Sequence, residues 1–394
     1  MAGYAVMDDR LERTPIRMLH VITGLGSGGA EMMLYKLLSE IDRGRFVCAV
    51  VSLTAAGEMA ERIRSLDVPV YSLGMKGAAS MPRAMMRLIR IIKNQGAQLV
   101  QCWMYHADLL GGLAGWFAGV PVIWGIRQSN FDATTSKPVT VRIMRWCARL
   151  SHKIPKRIVC CSDTACRIHE QQGYVRRKMV MIPNGFQTEI FRPNKHVREQ
   201  MRQTLNLSAD ALVIGIVGRF DPQKDHRNFI RAAAKVAQCM QGIFLVLCGK
   251  GLSQENAELM AWIREEGLAD RCLLLGHRND LQRLYCTMDV LVSSSAYGEG
   301  FPNVIGEAMS CAVPCVVTDV GDSAAIVGDS GRVVVPRDSE TLAAAIRDIL
   351  SLPAEERKRL GAAARLRIEE NYALPTVVAR YQHLYEEVSA QCVE

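Results

Sequence analysis

No apolar run in this chain of 394 residues reaches the roughly 18 residues that a bilayer-spanning helix requires. No low-complexity tract interrupts an ordinary globular composition, which leaves folded domains as the default. Asp-x-Asp occurs nowhere, and no His/Cys/Asp set has the spacing of metal ligands, so metal-dependent chemistry is disfavoured. The 13 cysteines are odd in number and lack paired zinc spacing. Cys160, Cys161, Cys166, Cys248, Cys311 and Cys315 lie in or beside apolar runs. They read as small core residues in a reducing compartment, not as a disulfide framework. The N-terminus, MAGYAVMDDRLERT, mixes charges of both signs and does not fit a secretory signal, so a cytoplasmic location is expected. Acid is missing from two long stretches, residues 68–107 and 133–162.

What is present is strand–helix alternation, twice over. RMLHVIT (17–23), FVCAVVSL (46–53), VPVYSL (68–73), AQLVQCW (97–103), VPVIWGI (120–126) and RIVCCS (157–162) are short β-rich runs separated by helical stretches. After VMIPNGFQTEIFRPN (180–194) the pattern restarts with 212–220, 242–249, 271–277, 290–295, 314–320 and 331–335. The spacing predicts an α/β chain of two doubly wound parallel-sheet, Rossmann-like domains joined near 184–195. Charge divides along the same line. Residues 1–190 hold 25 Lys/Arg against 14 Asp/Glu, net +11, and the remainder 23 against 26, net −3. That asymmetry fits two domains with different partners. The last segment, 373–388, reads as an amphipathic helix with Val377, Val378, Tyr381, Leu384 and Tyr385 on one stripe.

EGFPNVIGEAM (299–309) is the most informative stretch. A Gly/Pro-rich loop leads into a helix starting near Val304, and free N–H groups at such a start suit a phosphate. Glu299 stands just before that point and Glu307 about a turn inside. Carboxylates there suit hydroxyls, and phosphate plus polyhydroxyl describes a nucleotide sugar. The plainer reading is a loop residue and a helix-face charge. GRFDPQKDH (218–226) sets Arg219 and Lys224 just past a strand, where open α/β sheets hold ligands; the alternative is two surface cations. TGLGSGGAEMM (23–33) offers a glycine loop with Gly28 and Gly29. A dinucleotide fingerprint there lacks the acid that should end the second strand. His106 follows the fourth strand and could hydrogen-bond substrate or serve structure. Arg127, Gln128, Ser129 and Asn130 end the next strand, as a polar-ligand cluster or as plain loop.

The acid-free stretches interleave Lys76, Arg83, Arg87, Arg90 and Lys93, then Lys137, Arg142, Arg145, Arg149, Lys153, Lys156 and Arg157, with apolar residues including Trp146. Such helices suit an anionic membrane surface or a solvated basic face packed on a sheet. Nucleic acid is not expected, because no binding motif accompanies the charge.

Taken together, these residues resemble the GT-B-fold retaining glycosyltransferases of family 4 over most of the chain. Gly28-Gly29-Ala30-Glu31 looks like the family's glycine loop, and Ile182-Pro183-Asn184-Gly185 like its interdomain hinge. Gly218-Arg219 with Lys224 resembles the phosphate-binding pair, Glu299 through Glu307 the EX7E element, and Val333-Val334-Val335-Pro336 the closing strand. The resemblance implies an acceptor-binding domain over 1–190 and a donor domain over 191–373, facing across a cleft, with helix 374–394 packed back on the first. It further implies that Glu307 binds ribose and Glu299 donor-sugar hydroxyls, that Arg219 and Lys224 hold the diphosphate with the backbone at Asn303 and Val304, and that His106 lies near the reacting centre. Gly28, Gly29, Gly300 and Phe301 would complete the donor site, with Arg127, Gln128 and Asn130 toward the acceptor. No metal or cofactor is expected, and no protein nucleophile is required. The loop 318–326 departs from the family pattern, with Ala324 and Ala325 where many members carry Pro-Glu. Lys224 is followed by Asp225-His226 and not by the common glycine. The expected activity is metal-independent transfer of a hexose or N-acetylhexosamine from a nucleotide sugar, UDP favoured, to a lipid-linked or growing polysaccharide acceptor. A GT-B epimerase or phosphorylase, or a non-catalytic sugar-nucleotide binding protein, is the alternative.

Overall fold

The computed structural model describes residues 14–26, 28–128 and 138–391. Strands β1 (Ile16–Ile22), β2 (Phe46–Ser52), β3 (Val70–Ser72), β4 (Leu99–Trp103), β5 (Val122–Ile126), β6 (Arg157–Cys160) and β7 (Met179–Met181) form a first sheet. Its order is β3-β2-β1-β4-β5-β6-β7, every pairing parallel. Strands β8 (Leu212–Val217), β9 (Ile243–Cys248), β10 (Cys272–Leu274), β11 (Val290–Ser293), β12 (Cys315–Thr318) and β13 (Arg332–Val334) form a second parallel sheet in the order β10-β9-β8-β11-β12-β13. The Val/Ile/Leu-rich runs that announce these strands are continuous because helices cover both faces of each sheet. Strand β7 was not anticipated. It is three residues long and ends on the exposed Met181, which leaves it no long apolar run in the sequence.

The chain passes between the sheets twice, and the two passages are stitched together. Phe186 N–H donates to Tyr372 O at 2.9 Å, and Leu374 N–H donates to Phe186 O at 2.8 Å. At Ala373 (φ −57°, ψ 140°) the helix Ala354–Tyr372 breaks, and the helix Leu374–Ala390 leaves at a new angle. Its stripe of Val377, Val378, Tyr381, Leu384 and Tyr385 is buried with Met18, Phe46 and Trp103 of the first sheet. Tyr381 stacks on Trp103 at 6.1 Å, and Tyr385 meets Phe46 edge-on at 5.9 Å. Arg45 and Arg157 fasten the outer side of this helix through Glu386 and Glu387.

Candidate active site

Each sheet reverses its strand order once, between β1 and β4 in the first and between β8 and β11 in the second. Loops leaving adjacent strands at such a point diverge to opposite faces and open a crevice at the strand C-termini. In the second domain the diverging loops carry Arg219 with Lys224 and Glu299. In the first they carry Gly28 with Gly29 and His106. Topology therefore brings together residues 75 or more apart in sequence, as in the Lys224–Glu299 pair.

Lys224 Nζ donates to Glu299 Oε1 at 2.5 Å, and Ser295 Oγ donates to the same oxygen at 2.6 Å. Glu299 is buried, so its carboxylate is oriented by two donors in a dry setting. Arg219 is the exposed member of the pair, its Nε on Asp221 Oδ2 at 2.8 Å and its Nη2 on Gln223 Oε1 at 3.4 Å. The helix Asn303–Ser310 begins after Pro302 with no side-chain cap, so the first-turn N–H groups at Asn303 and Val304 keep their capacity for an anion. Glu307, one turn on, accepts from Tyr285 Oη at 3.0 Å. Burial raises its pKa, while the Lys36 ammonium and the Tyr285 hydroxyl act in the other direction. Gly300 accepts at its carbonyl from Asp322 N–H at 3.1 Å. Phe301 is buried, 6.0 Å from Phe186 and 5.5 Å from Tyr372, so its ring supports the interdomain passage.

On the facing side, Met104 adopts φ 73°, an uncommon conformation for a side chain of this size. It turns the chain sharply from β4 into the helix Tyr105–Ala118, whose second residue is His106. Met104 N–H is held by Gly125 O at 2.8 Å, and buried Asp108 accepts from Gly125 N–H at 2.9 Å. Desolvation pushes the Asp108 carboxyl well above the ordinary aspartate range. Partial burial lowers the pKa of His106, so its imidazole is neutral near neutral pH. Gly28 precedes the helix Gly29–Glu40 at its N-cap, and a Cβ on Gly29 would come within 3.7 Å of Asn303 Nδ2 across the cleft.

Several contributors carry no signal in the sequence. Lys36, in the first-domain helix Gly29–Glu40, is 5% exposed and donates to Gly185 O at 3.3 Å, 5.8 Å from the Phe186 ring. Its pKa is lowered by burial and supported by the charge of Glu307 in the other domain. Asn184, in the segment read as the hinge, joins the domains directly, donating to Asn303 Oδ1 at 2.8 Å. Ser295 and Tyr285 carry no local signal beyond a serine at a strand exit and an aromatic in a short helix.

Of the residues assigned toward an acceptor, Arg127 is engaged inside the protein. It donates to Asn184 Oδ1 at 2.6 Å and Tyr381 Oη at 3.0 Å, with its guanidinium 5.1 Å from the Trp103 ring. Gln128 is half-buried and favours the ionised form of Tyr105, whose pKa burial nonetheless raises. Asn130 and Ser129 lie outside the described residues.

Comparison with known proteins agrees with this geometry. The chain matches the Glycosyltransferase Family 4 description over residues 27–190 and Glycosyl transferases group 1 over residues 197–367. EpsF of Bacillus subtilis, named as a glycosyltransferase, is 30% identical over 319 residues, covering 77% of this chain and 79% of EpsF. The chain belongs to glycosyltransferase family 4. An Escherichia coli relative named as a UDP-Gal:alpha-D-GlcNAc-diphosphoundecaprenol alpha-1,3-galactosyltransferase is 28% identical, covering 68% of this transferase and 69% of the relative. The fold matches Anabaena HepE, solved in complex with UDP, with a TM-score of 0.84 and 21% identity over 94% of this chain and 100% of HepE. The two-domain architecture is thus GT-B.

Proposed function

We propose that this glycosyltransferase moves a hexose or N-acetylhexosamine, with retention of anomeric configuration, from a UDP-sugar to a saccharide carried on a polyprenyl diphosphate. The observation that carries the reading is the convergence of an oriented, buried Glu299 with Lys224 and an uncapped helix start, opposite His106. Glu299 and Glu307 would accept from sugar and ribose hydroxyls. Lys224, Arg219 and the N–H groups at Asn303 and Val304 would take the diphosphate charge that develops as the bond from sugar C1 to phosphate oxygen breaks. The acceptor oxygen would bond to C1 on the same face and pass its proton to the departing diphosphate, so no protein nucleophile, metal or cofactor takes part. Neutral His106 would hydrogen-bond the donor sugar. Arg127 and Gln128 would shape the acceptor side, Arg127 through its bond to Asn184. HepE was solved with UDP and with UDP-glucose, and the E. coli relative is named for a diphosphoundecaprenol-linked acceptor; both support the choice of partners.

We further propose that the first domain meets an anionic membrane surface. The helices Met81–Asn94 and Pro138–Leu150 flank Tyr105–Ala118, and Met86, Trp116, Phe117 and Trp146 are exposed among Arg83, Arg90, Arg142, Arg145 and Arg149.

A thermal-shift panel of UDP- and GDP-sugars should single out a UDP-sugar, because a ligand that binds only the folded chain raises its stability. With that donor, Glu299→Ala should abolish transfer while leaving the melting temperature near that of the parent. Full transfer by this variant would falsify the site assignment.

A further inference from the structure

The loop after β12 reaches across the cleft. Asp322 Oδ2 accepts from Asp163 N–H at 2.9 Å, and Oδ1 accepts from Thr164 N–H at 3.1 Å. Those are the first two N–H groups of the first-domain helix Asp163–Gln171, whose own cap, Ser162, already serves Ala165 N–H at 2.9 Å. A helix leaves several leading N–H groups without intrahelical partners, and a carboxylate also meets the positive end of the helix dipole. Thr164 Oγ1 adds a bond to Gly321 O at 3.4 Å. Asp322 is only 6% exposed, so separation of the domains would leave a desolvated carboxylate without these donors.

The backbone of the same loop holds the Glu299 segment. Asp322 N–H donates to Gly300 O at 3.1 Å. Gly321, at φ 63°, lies so close to the Glu299 carbonyl that a Cβ would stand 2.2 Å from its oxygen. One residue therefore grips the first domain with its side chain and the Glu299 loop with its amide.

We infer that Asp322 is a positioning residue that couples closure of the cleft to the geometry of the Glu299 loop. The inference rests on the reading of Glu299 as a donor ligand, but the coupling itself can be tested without substrate. Thr164→Pro removes one of the two N–H donors and the Oγ1 bond to Gly321 O from the first-domain side, at a first-turn position where proline is tolerated, and changes no residue of the second domain. Hydrogen exchange on the full chain should then accelerate about tenfold in second-domain peptides covering 296–302 and 319–326, and to a similar degree in Asp322→Ala. Combining the two substitutions should add little, because both break one interaction.

In transfer assays Asp322→Ala should lower kcat by about 10- to 100-fold with donor KM changed much less, the loss expected for hydrogen bonds to a buried charge. Asp322→Asn, which keeps an acceptor oxygen, should recover most of the rate. Unchanged exchange at 296–302 in Thr164→Pro, or full additivity of the pair, overturns the coupling. An active Glu299→Ala enzyme with the exchange coupling intact would overturn the donor-site reading and leave the latch standing.

Discussion

A lysine in an amphipathic helix ordinarily points to water, which is why Lys36 carried no signal in the sequence. Here the helix Gly29–Glu40 packs on the helix Leu374–Ala390, and Lys36 is buried against the interdomain passage at Gly185 and Phe186. The ammonium favours the ionised form of Glu307, against desolvation, which raises the Glu307 pKa. The sign follows directly. A carboxyl with a raised pKa keeps its proton to higher pH than usual, so its power to accept from ribose hydroxyls is lost early on acidification. Folding stability runs the other way, since the term from Glu307 is fully present below the unfolded pKa and is lost as pH rises through the folded one. Removing Lys36 leaves desolvation unopposed. Calorimetric titration of UDP between pH 5 and 8 should show affinity falling on the acid side in the parent, and falling at distinctly higher pH in Lys36→Met. A loss of roughly tenfold near the lower end matches one charge acting across a partly desolvated gap. Superimposable pH profiles would disprove the coupling.

At the scale of elements, nearly every strand was legible because parallel strands covered on both faces must be apolar throughout. The helix at Asn303 was legible because Pro302 and the glycines before it punctuate the chain. Contacts between distant elements were not. Nothing in the loop 318–326 betrays that Asp322 faces a helix start 159 residues earlier, and nothing around Arg127 announces Tyr381 254 residues later. The same holds for Gly306. In sequence it is a glycine inside a helix, where alanine should be better by up to about 1 kcal/mol. In the fold, a Cβ there would lie 2.1 Å from Phe186 Cζ, with two more ring atoms within 2.6 Å. Crowding of that kind costs roughly 1–3 kcal/mol and should outweigh the gain in propensity. Gly306→Ala should therefore unfold at lower denaturant than the parent, and the same substitution should cost less in a Phe186→Ala background, itself destabilised by loss of a buried ring. A more stable Gly306→Ala protein would show that hinge and helix are not packed this tightly.

For the whole molecule, the division of charge, +11 over residues 1–190 and −3 over the rest, gains meaning from where the apolar exposure lies. Trp116 and Phe117 are 56% and 62% exposed at the end of the helix Tyr105–Ala118, and the two basic helices pack on either side of it. No described helix is long and apolar enough to cross a membrane, and the attachment proposed for this domain is to a membrane surface. Two contributions of different kind would then act together. Each arginine near an anionic surface contributes about 1 kcal/mol and is screened by salt. Burial of roughly 100 Å² of aromatic surface on each of Trp116 and Phe117 contributes up to about 5 kcal/mol in all and is not screened. Flotation with phosphatidylglycerol vesicles at low salt should therefore carry the parent protein, and phosphatidylcholine vesicles should carry much less. Trp116→Ser with Phe117→Ser should weaken binding more than loss of any single arginine, at least tenfold, while UDP affinity in the distant cleft stays constant. Raising the salt should release the double variant first, because only the screened contribution remains to hold it. If the parent fails to float at low salt, or the double variant floats as well as the parent, this face has another use.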